Sequence, residues 1–163
     1  ESVAFAGETT RIDERPAYVW CVREGGASGP IVAVGTIGID VERSTLRTEH
    51  AIIAPSHRGL RLSGLITLYV LIARAIEIET VVGWASMRHP YAQKACEKHG
   101  FRLIGVVPAS ERISVAPGVT KYTFEAAYAV SLVPPSLAWC PPRSAMLPRV
   151  AALARFVLGD VPE

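Results

Sequence analysis

The segment with the clearest capacity for chemistry is residues 52–63. An apolar run ends there at Pro55, and Arg58, Gly59 and Arg61 follow at once. The next residues predict the first turn of a helix, whose unpaired N–H groups and positive dipole attract anions. Glycine lets a phosphate approach the backbone, and the arginines add positive charge. The segment predicts a phosphate-binding loop, with an ordinary strand-to-helix loop and solvent-facing arginines as the alternative.

Three side chains are candidates for moving protons. Glu49 and His50 lie on the apolar run before the loop, and Cys96 lies further along the chain. A carboxylate or an imidazole can accept a proton from an amine, and a thiol can in principle donate one. Period-2 alternation places Glu49 on the same strand face as Arg47 and His50 on the other face. The structural alternatives are an Arg47–Glu49 ion pair and plain packing of Cys96.

Hydrophobic periodicity indicates which elements position these residues. The predicted strands are residues 18–23, 31–39, 46–54, 81–87, 101–107 and 122–132. The predicted helices are residues 62–79, 89–99 and 149–158, with Gly100 as a left-handed cap after the second. Residues 1–16 show no clear period, and the prolines of residues 134–148 exclude a central strand there. This order predicts a mixed α/β sheet.

Composition narrows the class of protein. A chain of 163 residues fits one domain with a substantial core. The net charge of +2 and the lack of a Lys/Arg block argue against nucleic acid, and the polar interruptions of residues 62–78 argue against a membrane span. Cys21, Cys96 and Cys140 are too far apart for a zinc motif and indicate reduced thiols. We expect a cytoplasmic protein with no metal, no membrane and no nucleic-acid partner.

Two half-motifs resemble the GNAT acyltransferase superfamily. The first is the Pro-Ser-His-Arg-Gly loop of residues 55–59, which leads into a helix. The second is residues 89–101, which are similar to the family pattern Asn-x-x-Ala-x-x-x-Tyr-x-x-x-Gly-Phe. The start of this helix also looks like that of a bacterial subgroup. The resemblance covers residues 31–132 and implies an α/β fold, a GNAT-like mixed β-sheet with splayed central strands flanked by helices.

The resemblance implies transfer of an acetyl or other small acyl group from acetyl-CoA or another acyl-CoA to a small-molecule amine. In such enzymes the pantetheine arm lies between two splayed strands. Carried over by position, the cofactor-binding residues are Ile52, Ile53, Ala54, Arg58, Gly59, Leu60, Arg61, Leu62, Ser63, His89 and Gln93. The acyltransferase domain would span residues 1–132, and residues 133–163 would form a proline-rich arm and a C-terminal helix packed on it.

Departures from the family pattern keep two alternatives open. Arg61 replaces a loop glycine, which favours a donor without a nucleotide, the phosphopantetheine of an acyl-carrier protein in a bacterial natural-product pathway. Cys96 replaces the tyrosine that protonates the leaving thiolate, and no base is obvious, which favours a non-catalytic domain that binds a ligand or partner. The sequence pattern also predicts solvent-exposed His57 and His99. A homodimer through residues 149–158 is compatible with it.

Overall fold

Eight β-strands and three α-helices lie within the residues that the computed structural model describes, which are 3–4, 9–12, 15–58, 64–88, 90–137 and 142–158. The strands are β1 (Val3–Ala4), β2 (Thr9–Ile12), β3 (Arg15–Arg23), β4 (Ile31–Asp40), β5 (Thr45–Ile53), β6 (Thr80–Ser86), β7 (Arg102–Ala116) and β8 (Val119–Ser131). The helices are α1 (Leu65–Ala75), α2 (Tyr91–Lys98) and α3 (Pro148–Leu158). The chain divides into two compact units, residues 1–84 and residues 85–163.

All the predicted strands and helices form, with two clear errors at their ends. Strand β7 continues to Ala116, where the sequence predicted an end at residue 107 and then a loop, because it pairs with β8 along this length. Helix α1 ends early. The helix stops at Ala75, not at residue 79, because Glu77 adopts a left-handed conformation with φ 58°. The N–H of Ile78 then donates to the carbonyl of Ala73 at 2.8 Å, which closes a Schellman-type cap over the buried Ile78 side chain. The predicted cap at Gly100 is confirmed, with φ 83° directly after α2.

The first unit contains a mixed sheet, which confirms the predicted α/β class. β4 pairs antiparallel with both β3 and β5, while β5 pairs parallel with β6. The short strands β1 and β2 pair antiparallel with β3, in the segment where the sequence shows no period.

One face of this sheet and helix α1 form the core of the first unit. Trp20, Leu46 and Val81 are fully buried on that face, and the Trp20 indole meets the Tyr69 ring of α1 edge-on, with centroids 6.0 Å apart. Gly35 leaves room for the indole, because a Cβ at this position would overlap Trp20.

The second unit is built on a long antiparallel hairpin of β7 and β8, which turns at Gly118 with φ 73°. Cys96 of α2 and Tyr128 of β8 are buried, and Phe101 directly after α2 is buried as well. Helix α3 lies against β7, where the Arg102 Nη1 donates to the Val157 carbonyl at 3.0 Å.

Candidate active site

Strand β5 carries a β-bulge at the residue that the sequence nominates as a base. Thr48 lies opposite Ile37 of β4 and His50 lies opposite Thr36, so that Glu49 is an extra residue without a partner in the register. A bulge of this kind shifts the alternation of side chains by one position. Leu46 and Thr48 therefore share the α1-covered face before the bulge, and Ala51 shares it afterwards.

The bulge corrects the predicted orientation of His50. Strict alternation placed His50 on the face opposite Glu49, but the register puts His50 beside Thr36, on the same face as Gly38 and Arg47. The Glu49 carboxylate lies on this face too, since its Oε1 is 3.2 Å from the point that a Gly38 Cβ would occupy. The two candidate bases are consecutive residues on one face of the sheet, the face opposite α1.

An ion pair fixes the Glu49 carboxylate. Its Oε1 lies 3.1 Å from the Arg47 Nη2, and the two side chains are only 22% and 27% exposed. The ion pair that the sequence offered as a structural alternative is present. The ion pair is compatible with a role for Glu49 in proton transfer, since it holds the carboxylate in one orientation at the bulge.

Strands β5 and β6 separate immediately before Glu49. Their parallel pairing covers Thr45–Thr48 opposite Thr80–Gly83, whereas β5 stays paired with β4 up to Ile53. The N–H of Ala54 donates to the Val32 carbonyl of β4 at 2.9 Å. Because backbone groups alternate between the two edges of a strand, those of Ala51 and Ile53 point to the edge that faces β6. A short stretch of strand edge is thereby left open to an extended ligand.

The loop after β5 begins with a tight turn, residues Pro55–His57. The exposed Arg58 follows the turn, and its Nε donates to the Ile53 carbonyl at 3.2 Å, which holds the guanidinium at the open strand edge. Both backbone groups of Ala54 are used, since its carbonyl accepts the His57 N–H at 2.8 Å. Ile52 has a largely exposed side chain. The other predicted loop residues, Gly59, Leu60, Arg61, Leu62 and Ser63, lie outside the described residues.

His57 is held by neighbours, contrary to the predicted solvent exposure. Its Nδ1 lies 2.9 Å from the Ser56 hydroxyl, its Nε2 lies 3.4 Å from the Glu24 carboxylate, and the side chain is only 19% exposed. His99, also predicted to be exposed, is partly buried after α2, with its Nε2 shielded from solvent. Neither histidine is the freely solvated proton carrier that its sequence setting suggested.

In the second unit, the buried Cys96 and Tyr128 lie near the exposed Glu97. The Tyr128 hydroxyl donates to the Glu97 carboxylate at 3.1 Å. Burial, reinforced by the charge of Glu97, raises the pKa of the Cys96 thiol to about 11. Burial and the hydrogen bond to Glu97 raise the pKa of Tyr128 to about 12. Both groups stay protonated near neutral pH and are weak proton donors.

Gln93 of α2 contacts the end of β6. Its Nε2 donates to the Ser86 carbonyl at 3.1 Å, so this predicted cofactor-binding residue ties the helix to the strand. His89, the other residue predicted near the pantetheine arm, lies outside the described residues. Sequence reasoning missed Tyr128, because the family pattern directs attention to position 96 alone.

Two classes of feature are absent from the described part of the chain. No group of three or more His, Cys, Asp or Glu side chains is placed there to hold a metal ion. Its helices are also too short or too polar to cross a membrane.

The structure is similar to several solved N-acetyltransferases. Spermidine N-acetyltransferase from Vibrio cholerae, solved with CoA and spermine, superposes with a TM-score of 0.60 at 16% identity, covering 71% of this chain and 66% of that one. A protein named as a candidate phosphinothricin N-acetyltransferase gives 0.58 at 21% identity, covering 80% and 77%. The IAA acetyltransferase from Bacillus cereus gives 0.57 at 15% identity, covering 74% and 79%.

Sequence comparison alone finds no such likeness. No family model matches the chain, and no curated protein matches it. The similarity lies in the fold, because the sequence identities are too low to assign to this chain the substrate of any of these proteins. The chain has the fold of the GNAT N-acetyltransferases, as its two half-motifs predicted.

Proposed function

We propose that this chain is an N-acyltransferase that moves an acetyl or other small acyl group from acyl-CoA to the amine of a small molecule. The observation that carries the proposal is the parting of β5 from β6 after Thr48 and Gly83, at the bulge that presents Glu49 and His50. Such a parting offers backbone hydrogen-bonding groups to an extended acyl donor, and the bulge sets two bases beside it.

The described residues fit a pantetheine donor. Its amide groups can pair with the open edge of β5 at Ala51 and Ile53, in the way that an added strand would. Arg58, held at the same edge through the Ile53 carbonyl, supplies positive charge toward the phosphates. The CoA bound to the Vibrio cholerae neighbour, a protein of the same fold, supports this choice of donor.

The reaction follows from these groups. The acceptor nitrogen attacks the thioester carbonyl, an N–C bond forms, the C–S bond breaks, and the sulfur leaves with the electron pair. A β5 backbone N–H, from Ala51 or Ile53, stabilises the negative charge that develops on the carbonyl oxygen. The proton that the amine loses passes to Glu49 or to His50, its neighbour on the same face.

No protein acid is needed for the leaving thiolate. An ordinary thiol has a pKa of about 8.5, whereas the pKa of Cys96 is about 11 and that of Tyr128 about 12. Protonation of the thiolate by Cys96 would be uphill by about 3 kcal/mol. The buried thiol therefore serves packing, and the thiolate departs unaided to be protonated by solvent.

The first test is a thermal-shift titration with CoA and with acetyl-CoA. A ligand at 100 times its dissociation constant adds about 2.7 kcal/mol to the free energy of unfolding, enough to raise the midpoint by a few degrees. We expect Arg58→Ala to weaken this shift. We expect no such effect from Arg43→Ala, the matched control, since Arg43 is a 73% exposed arginine that pairs with Asp40 on the β4–β5 turn.

A thioester panel then separates the alternatives. Acetyl-CoA turnover with an amine supports the proposal. No shift at millimolar CoA, combined with turnover of an acyl group on a pantetheinylated carrier protein, would instead identify a carrier-dependent acyltransferase. Failure of every thioester to turn over would leave a non-catalytic binding domain.

A further inference from the structure

The guanidinium of Arg47 has hydrogen-bonding capacity that the described residues do not use. It carries five N–H donors in a planar fork, and Glu49 contacts it at Nη2. The Nε is buried and has no acceptor among the described residues. The buried Nε is closed to solvent, but the side chain as a whole is 27% exposed, so the Nη end of the fork remains open to an anionic ligand.

The sheet leaves space for this guanidinium. Ala17 of β3, Gly38 of β4 and Arg47 of β5 are register partners in one row across the sheet. The Arg47 Nη2 and Nε lie 3.6 and 3.7 Å from the point where a Cβ of Gly38 would be. The guanidinium thus lies against a residue without a side chain, directly beside the candidate base.

Arg47 and Glu49 present a positive and a negative charge side by side. An α-amino acid carries the complementary pair, a carboxylate beside an ammonium group. A polyamine carries only positive charges, and Arg47 would oppose its approach to the single carboxylate of this ion pair.

Building on the proposed function, we infer that the acceptor is an amine bearing a neighbouring carboxylate, an amino-acid-like zwitterion. Arg47 binds its carboxylate through the exposed Nη end of the fork. The ammonium group then lies at Glu49, which takes its proton before or during attack on the thioester. Arg47 is a specificity-determining residue for the acceptor and takes no part in bond making.

The test is acetyl-CoA turnover with matched acceptors. The panel contains the twenty standard L-amino acids and, for the active ones, the amine that lacks the carboxylate, such as phenethylamine for phenylalanine. Hydrogen bonds between charged groups predict a preference for the amino acid of about 10- to 150-fold in kcat/KM. Equal or better turnover of the simple amines would overturn the inference and leave the acyltransferase standing.

Variants test whether Arg47 causes the preference for the amino acid over the simple amine. Arg47→Gln should remove the preference, because the KM of the amino acid rises while that of the simple amine does not. The kcat should fall for both acceptors alike, since the substitution releases the Glu49 carboxylate that Arg47 orients. Arg47→Lys should keep part of the preference. Arg43→Gln, which removes the exposed arginine of the Asp40 ion pair, is the matched control and should leave the ratio unchanged. An equal loss of kcat/KM for both acceptors in a folded Arg47→Gln protein would refute the assignment. If CoA binds but neither the amino acids nor the simple amines are acetylated, both this inference and the proposed function are wrong.

Discussion

Replacing Glu49 by glutamine separates a catalytic role from a structural one. The change keeps the shape of the side chain and removes the charge that pairs with Arg47 at 3.1 Å. Because both side chains are partly exposed, the ion pair contributes about 0–1 kcal/mol to the free energy of unfolding. Loss of a general base lowers kcat about 10²- to 10⁴-fold. The expected effect on rate therefore far exceeds the effect on stability.

The assay is acetyl-CoA turnover by thiol release at saturating acceptor, with a thermal melt of each variant. Asp40→Asn is the matched control, since it removes a carboxylate that lies 3.3 Å from Arg43, at the end of β4 and away from Glu49. We expect it to keep wild-type kcat. If Glu49→Gln keeps kcat within about threefold of wild type while His50→Gln loses about 100-fold or more, the role belongs to His50 and the assignment of Glu49 is wrong.

Two further predictions concern stability. Gly35→Ala should lower the free energy of unfolding by about 1–3 kcal/mol in urea, because the added methyl would overlap the buried Trp20 indole; an unchanged midpoint would contradict this packing. Stability should also fall as pH rises from about 9 to about 12. The unfolded chain ionises Cys96 and Tyr128 at their ordinary pKa values of 9.0 and 10.0, whereas the folded chain ionises them only at about 11 and about 12. Below about pH 9 both groups are protonated in the folded and in the unfolded chain, so they do not make the free energy of unfolding depend on pH. Cys96→Ala should flatten the fall by up to about 1.4 kcal/mol per pH unit without lowering kcat more than about threefold, and an unchanged slope would refute the cause.

Most element positions could be predicted because local signals and tertiary packing agree. The second helix, α2, is amphipathic and ends at a glycine that can take a left-handed conformation, so its end was predicted within one residue. The end of α1 was missed because Glu77 adopts that same conformation without being a glycine. The strands β1 and β2 were missed because their pairing with β3, and not their own composition, makes them strands.

The candidate site was harder to predict than the fold for a related reason. The segment that holds it was identified by its motif, but the bulge at Glu49 leaves no mark in composition, so the orientation of His50 came out wrong. The contact between His57 and Glu24 joins residues far apart in sequence and depends on the hairpin that brings them together. Periodicity describes a regular strand, and the chemistry of this one is concentrated at its irregular residue.

The bulge also bears on how this strand can change during evolution. A deletion of one residue near the middle of β5 could be absorbed by expelling the extra residue, and the ladder with β4 would then close into a regular one. Such a descendant would still fold, with its apolar positions facing α1. It would have lost the carboxylate that stands beside His50 on the opposite face. Deletion of a single codon in β5 would therefore remove the proposed base and leave the fold intact.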